Sequence, residues 1–134
     1  MEQSVIFQPM LLQATLMVLG GVWLVWARVG SAIRGKVDMK DVEENIWYGW
    51  IKNAGDNFNN QFQVPVLFFT LCFILYLTNS VTPTVVVLAW FFAISRICHA
   101  LVHLTFNHVT TRFLIFFLGV LSVAALLILT IRSV

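Results

Sequence analysis

Residues 83–104 read PTVVVLAWFFAISRICHALVHL, and this stretch decides the fold. It is long enough to cross the hydrocarbon core of a bilayer as a helix, which takes about 20 mainly apolar residues. Pro83 suits the first turn of such a helix, where its missing backbone N–H costs nothing. The stretch therefore predicts a transmembrane helix that carries an arginine and two histidines near its end.

Three further apolar stretches have a similar length. We expect transmembrane spans at about 5–27, 58–77, 83–104 and 112–131. The apolar runs are continuous, whereas a β-barrel would show alternating segments of about 10 residues. The sequence thus predicts an all-α membrane protein, in which one domain covering residues 1–134 forms a four-transmembrane-helix bundle. Only residues 78–82 separate the second and third spans, so these should be antiparallel neighbours.

The composition supports a membrane protein. Of the 134 residues, 60% are hydrophobic and 10% are charged, whereas soluble domains carry about 25% charged residues. Too few charges are present to coat a soluble surface. The net charge is +2 without a basic run, so nucleic acid is not an expected partner. Cys72 and Cys98 lie in apolar runs and are interpreted as packed thiols.

Basic residues are distributed unevenly between the two sides of the predicted bundle. Five of the eight lie between the first two spans: Arg28, Arg34, Lys36, Lys40 and Lys52. The positive-inside rule therefore places loops 28–52 and 105–111 in the cytoplasm and both termini outside. Within the polar loop 28–52, the sequence predicts a short surface helix over residues 39–52 with Asp38 or Asp41 as its N-cap.

A polar segment, NAGDNFNNQFQVP at residues 53–65, interrupts the apolar pattern at the start of the second span. On a helix, Asn53, Asn57, Asn60 and Gln61 share one face. Two interpretations are open at this point. The amides either solvate the interface and join helices by hydrogen bonds, or they line a binding site.

The second polar place is the end of the third span, where Arg96, His99 and His103 share one helical face. Arg96 lies roughly 12 Å before the helix end. A cation at that depth is costly unless it snorkels, pairs or faces a wet cavity, which makes Arg96 a functional candidate. Asp56 is the nearest acid on another span. The histidines either hydrogen-bond at a helix interface or hold a metal, for which a third ligand would have to come from His108 or Asp56; we expect no metal site.

Together with Arg112, these residues suit a small, polar, anionic ligand near the cytoplasmic face, because guanidinium groups pair well with carboxylates. A lipid-soluble second substrate can approach from the bilayer. A transporter or channel subunit is disfavoured because the chain has no inverted repeat.

The sequence resembles the MAPEG family, the membrane-associated proteins of eicosanoid and glutathione metabolism. The family motif Arg-x-x-His-x-x-x-Tyr appears as RICHALVH at residues 96–103, and the next family arginine falls on Arg112. The motif Arg-Ala-x-x-Asn-x-x-Glu, followed by proline, appears as NAGDNFNN at residues 53–60, followed by Pro65. The string NQFQVPVLF at residues 60–68 looks like the bacterial branch of the family, which implies a bacterial inner membrane.

The resemblance implies a homotrimer that holds glutathione as co-substrate between subunits. Arg112 would be the catalytic residue and would stabilise the glutathione thiolate. The ligand-binding residues would be Arg28, Asn57, Asn60, Arg96, His99 and His103. The implied function is that of a glutathione-dependent transferase or peroxidase acting on a lipophilic electrophile or hydroperoxide. The alternative is a non-catalytic protein of this fold that binds a lipid or another small anionic ligand.

Four positions depart from the family pattern. Asn53 stands for arginine, Asn60 for glutamate and His103 for tyrosine, while Asp56 replaces a residue that is basic in some members. Each lost charge-assisted hydrogen bond would weaken the binding of an anionic tripeptide by roughly 1.5–3 kcal/mol.

Overall fold

Every regular element of the chain is a helix, and the computed structural model describes residues 1–134. A 3₁₀ turn at Gln3–Ile6 precedes six α-helices: α1 (Phe7–Ile33), α2 (Met39–Glu43), α3 (Gly49–Asn60), α4 (Val64–Leu77), α5 (Pro83–Leu104) and α6 (Val109–Ser133). Four segments are long and apolar enough to cross a membrane: Gln3–Ile33, Gly49–Leu77, Pro83–Leu104 and Val109–Ser133. The predicted bundle of four transmembrane helices is confirmed.

The first helix is longer than the predicted span of residues 5–27. Instead of ending before Arg28, α1 continues to Ile33, where Gly35 adopts a φ of 64°. The N–H groups of Gly35 and Lys36 donate to the carbonyls of Ala32 and Ser31 at 3.1 and 3.0 Å, which satisfies the last turn in a Schellman motif. The helix thus ends at a glycine that can reverse the chain, and the charge of Arg28 does not stop it.

Tryptophans mark the level at which α1 leaves the hydrocarbon. The ring of Trp23 lies 5.0 Å from that of Trp26 and 6.1 Å from that of Trp50. The guanidinium of Arg34 lies 5.7 Å from the ring of Trp26. Amphipathic indole rings of this kind collect at the membrane–water interface.

The second spanning segment is broken. α3 ends at Asn60 and α4 begins at Val64, so the predicted span of residues 58–77 is only the latter part of a longer, interrupted segment. Pro65 causes the break, because it has no N–H for the Gln61 carbonyl and its ring would clash with that carbonyl in a continuous helix.

The predicted surface helix over residues 39–52 is wrong. Asp38 does cap a helix, accepting a hydrogen bond from the N–H of Lys40 at 3.0 Å, but α2 ends at Glu43. Asn45 then adopts a φ of 55°, and its side chain accepts a 2.7 Å hydrogen bond from the Trp47 indole. This reversal separates α2 from α3.

The apolar core lies at the end of the bundle that holds the termini and the α4–α5 turn. Its buried members come from the N-terminal 3₁₀ turn and the start of α1, from α4, from the α4–α5 turn and the first part of α5, and from the second half of α6: Ile6, Met10, Phe68, Leu71, Cys72, Leu75, Val81, Val85, Ala89, Phe92, Val123 and Leu126. Gln3 closes this end by accepting a 2.8 Å hydrogen bond from the N–H of Val81. Cys98, in contrast, is exposed on α5 and is not a packed thiol.

The most extensive contact between two helices is that between α5 and α6. The backbone of α4 lies closer to that of α6 than to that of α5, although α5 follows α4 in the sequence. α4 and α5 still meet through side chains, since the rings of Phe68 and Phe92 lie 4.5 Å apart. Gly119 permits the close α5–α6 approach, because a Cβ at this position would lie 2.8 Å from the Ser95 hydroxyl. Small residues allow such close backbone approach between membrane helices.

We expect Gly119→Ala to lower the thermal unfolding midpoint in detergent. The added methyl group displaces the Ser95 hydroxyl, which donates to the Phe92 carbonyl at 2.7 Å, and losing that bond costs about 1 kcal/mol. Gly30→Ala is the matched control, since nothing lies within 4 Å of a Cβ there. The double variant Gly119→Ala/Ser95→Ala should unfold at about the same temperature as Ser95→Ala alone, because the hydroxyl that the methyl group displaces is already absent. Equal midpoints for the two glycine variants would contradict this close contact.

Candidate functional site

The break in the second span provides a hydrogen-bond acceptor for Arg96. In a continuous helix the Asn60 carbonyl would accept from the backbone N–H of residue 64. In this structure the Arg96 Nη2 donates to that carbonyl at 3.2 Å. Pro65 and Arg96 are therefore connected physically: the proline interrupts the helix, and the arginine uses the carbonyl that the interruption releases.

Arg96 is only 1% exposed, and its other donors are not satisfied. Its Nε and Nη1 have no hydrogen-bond partner, and its guanidinium carbon lies 5.9 Å from the centre of the Phe116 ring. Asp56, the nearest acid expected from the sequence, instead pairs with Lys52 at 2.7 Å, in the only salt bridge of the chain. A buried cation without an anion is unfavourable, and this is the charge environment that an anionic ligand would complete.

The two histidines extend the same face of α5. His99 and His103 are both buried, their ring centroids lie 5.8 Å apart, and the Nδ1 atom of each has no partner. No group of three His, Cys, Asp or Glu side chains lies close enough to hold a metal ion. With Arg96, the histidines form a row of buried polar atoms that the chain itself leaves incompletely bonded.

A pocket of about 310 Å³ opens beside this row. It lies between the α3–α4 break, α5 and the start of α6, and it is lined by Asn60, Gln63, His99, Val109, Arg112, Phe113 and Phe116. We call it the Arg112 pocket. It brings together three of the predicted site residues, Asn60, His99 and Arg112, and Arg96 borders it through Asn60 and Phe116. Its wall thus combines a cation, two amides and an imidazole with two phenylalanines and a valine.

Asn107 orients Arg112. The Nη1 of Arg112 donates to the Asn107 Oδ1 at 2.7 Å, and the Nδ2 of Asn107 donates to the Asn53 Oδ1 at 3.5 Å. Asn107 adopts a φ of 45°, a conformation in which asparagine is enriched. The sequence analysis missed this residue, although an asparagine in the short loop before a candidate arginine is a usable signal.

Two of the predicted residues lie apart from the Arg112 pocket. Arg28 stacks on Trp47, with its guanidinium carbon 4.7 Å from the ring centre, in a separate polar pocket of about 220 Å³ that also includes Lys52 and Asp56. Gly55 makes room for it, since a Cβ there would lie 2.9 Å from the Arg28 Nη2. Asn57 lines a third opening, an otherwise largely apolar groove of about 490 Å³ between α1 and α5.

Replacing Arg96 by methionine is expected to raise the thermal midpoint of the ligand-free protein. The substitution removes a buried charge that has one hydrogen bond and no anion, a change that can stabilise a protein by about 1–4 kcal/mol. Arg96→Lys keeps the charge and should give no such gain. A large loss of stability in Arg96→Met, measured by thermal unfolding in detergent, would instead mean that the guanidinium is a structural element of the resting protein.

Comparison with known proteins agrees with the fold. A family model described as "MAPEG family" matches residues 6–132, which include the larger part of every spanning segment. The chain matches no curated protein and no solved structure. Four membrane-spanning helices together with a family match over nearly the whole sequence establish that this chain is an integral, multi-pass membrane protein and belongs to the MAPEG family.

Proposed function

We propose that this protein is a membrane enzyme that uses glutathione to conjugate or reduce lipophilic substrates. The observation that carries the proposal is the Arg112 pocket, where Arg112, His99 and Asn60 lie together beside the unpaired guanidinium donors of Arg96. An anionic, polar tripeptide would supply the carboxylates and carbonyls that these donors lack, and guanidinium groups bind carboxylates strongly.

Arg112 is assigned the catalytic role. A cation close to a thiol lowers the pKa of that thiol and raises the fraction of thiolate near neutral pH. In a transfer reaction, the thiolate sulfur forms a bond to an electrophilic carbon of the lipophilic substrate; the bond to the leaving group breaks and the group departs with the electron pair, or, in an addition, the anion that forms takes up a proton. In a peroxidase reaction, the thiolate sulfur attacks the distal oxygen of a hydroperoxide and the O–O bond breaks. The distal oxygen stays on the sulfur as a sulfenic acid, and the alkoxide that leaves takes up a proton to become the alcohol. A second glutathione then converts the resulting sulfenic acid into the disulfide and water.

The second substrate enters from the bilayer in this proposal. Phe113 on α6 is exposed toward the surroundings of the chain, and together with Phe116 and Val109 it gives the pocket an apolar side. A lipid-soluble molecule can therefore approach the reacting sulfur without crossing water.

A homotrimer would explain why the ligand-binding candidates lie in separate openings of one chain. Arg28, Asn57 and Arg112 line three different cavities. One ligand molecule can therefore touch all three residues only if more than one copy of the chain contributes to its site. In a site between subunits, the Arg28 and Asn57 side of one subunit would face the Arg112 pocket of the next.

The second candidate is a non-catalytic protein that binds a lipid or another small anion. One observation favours it: on the second spanning segment, Lys52 is already neutralised by Asp56 at 2.7 Å, and Asn53 contributes an amide instead of a charge. Fewer free cations would then be available for a tripeptide with two carboxylates.

Arg112→Ala should reduce the thiolate formed by bound glutathione by tenfold or more, because a hydrogen bond to a charged group contributes roughly 1.5–3 kcal/mol. The measurement is the ultraviolet absorbance of the thiolate at saturating glutathione. Arg132→Ala is the matched control, since Arg132 lies in the last turn of the same helix, at the opposite end from the pocket, and should leave the signal unchanged.

Two outcomes separate the candidate functions. The absence of a thiolate signal in the wild type at saturating glutathione would overturn the catalytic assignment. If millimolar glutathione also fails to raise the thermal midpoint while a lipid does raise it, the non-catalytic function is favoured, because only a ligand that binds the folded form stabilises it.

A further inference from the structure

Three buried amide side chains form a hydrogen-bonded row between α1 and the C-terminal end of α3. The Nε2 of Gln13 donates to the Oε1 of Gln61 at 2.9 Å, and the Nε2 of Gln61 donates to the Oδ1 of Asn57 at 3.2 Å. The three side chains are 0%, 1% and 3% exposed. We call this row the amide relay. Gln13 is the only one of the three that comes from the first span.

Stability alone is a weak explanation for the relay. Hydrogen bonds between membrane helices contribute only modestly, and burying an amide is costly wherever one of its groups stays unpaired. The relay has such groups at both ends, since the Gln13 Oε1 and the Asn57 Nδ2 have no partner. Apolar side chains of similar size would fill this space without leaving either atom unpaired.

The direction of the hydrogen bonds determines what Asn57 can offer to a ligand. Because Gln61 donates to the Asn57 oxygen, that oxygen is occupied and the Asn57 NH₂ group is the free end. Asn57 lines the groove between α1 and α5, where the other lining side chains, such as Leu16 and Trp23, are mostly hydrophobic. The wall of the groove thus includes a buried hydrogen-bond donor that no group of the chain occupies.

We propose that Gln13 and Gln61 are positioning residues that hold the Asn57 amide with its NH₂ group toward an acceptor oxygen of bound glutathione, either a peptide carbonyl or a carboxylate. This inference rests on the proposed function. Without the relay, the Asn57 side chain is free to rotate by half a turn. It then presents its oxygen to the ligand oxygen, and a hydrogen bond becomes a repulsion.

The relay acts on binding and not on the chemical step. Neither glutamine is hydrogen-bonded to Arg112, whose partner is Asn107. Losing the relay should therefore raise the Kd and the KM for glutathione, while the thiolate signal at saturating glutathione and kcat stay close to their wild-type values.

The test uses methionine substitutions in the full-length, membrane-extracted protein. Gln13→Met should weaken glutathione binding by about tenfold, the size of one hydrogen bond to a charged or strongly polar partner. Gln8→Met is the matched control, since Gln8 lies in the same helix but is exposed and makes no side-chain hydrogen bond to the relay. Its Kd should equal that of the wild type.

The double variant Gln13→Met/Gln61→Met distinguishes a loss of binding from a loss of folding. It removes both partners of the interhelical bond, a change that is close to neutral when the replacements are apolar and of similar shape. We expect it to unfold at a temperature close to that of the wild type and to bind glutathione no more weakly than Gln61→Met alone, because residues in one network are not additive.

The outcomes distinguish the two levels of the proposal. If the double variant binds glutathione as tightly as the wild type, or if kcat falls while KM stays constant, the positioning role is overturned and the proposed function stands. If the wild type itself does not bind glutathione, the proposed function fails and the assignment of the relay fails with it.

Discussion

The hydrogen bond between the Arg96 guanidinium and the Asn60 carbonyl joins two features that would each be unfavourable in lipid. A helix broken by proline leaves backbone carbonyls without donors, and a buried arginine needs acceptors. The two satisfy each other in part, and this fixes how the broken second segment meets α5. The remaining donors of Arg96 have no partner, and its guanidinium lies beside Asn60 and Phe116, which both line the Arg112 pocket, so the position of the pocket follows from the same contact.

The two ends of the bundle have different physical characters. At the end with the termini, a continuous apolar core connects α1, α4, α5 and α6. At the other end, only Ala27, Ile51 and Ala54 form a buried apolar cluster, and polar atoms without partners collect there and toward the middle of the bundle. The close-packed end can hold the helices in place while the polar end binds and releases a ligand. Different residues therefore determine the stability of the bundle and its ligand binding.

Hydropathy and helical spacing predicted the number of spans and the shared face of Arg96, His99 and His103, because both depend on local periodicity. The position of the break was less accessible, since Pro65 is compatible with either a kink or the first turn of a new helix. Gln13 was missed because a single amide in an apolar run gives no periodic signal. The pairing of Asp56 with Lys52 is an i,i+4 contact within α3, and it was missed because the sequence analysis ended the preceding helix at Lys52. The pairing of Arg112 with Asn107 depends on the conformation of the loop before α6, which composition does not specify.

The length of α1 has a consequence for the membrane around it. Its 27 residues extend over roughly 40 Å, whereas the hydrocarbon core is about 30 Å thick. The tryptophans on α1 and at the start of α3 favour one depth at the interface. A change in bilayer thickness therefore alters how much of the last turns of α1 is immersed and leaves the contacts among the other helices as they are. The last turns of α1 thus accommodate the mismatch between helix length and bilayer thickness, and the same bundle geometry can persist in thin and thick membranes.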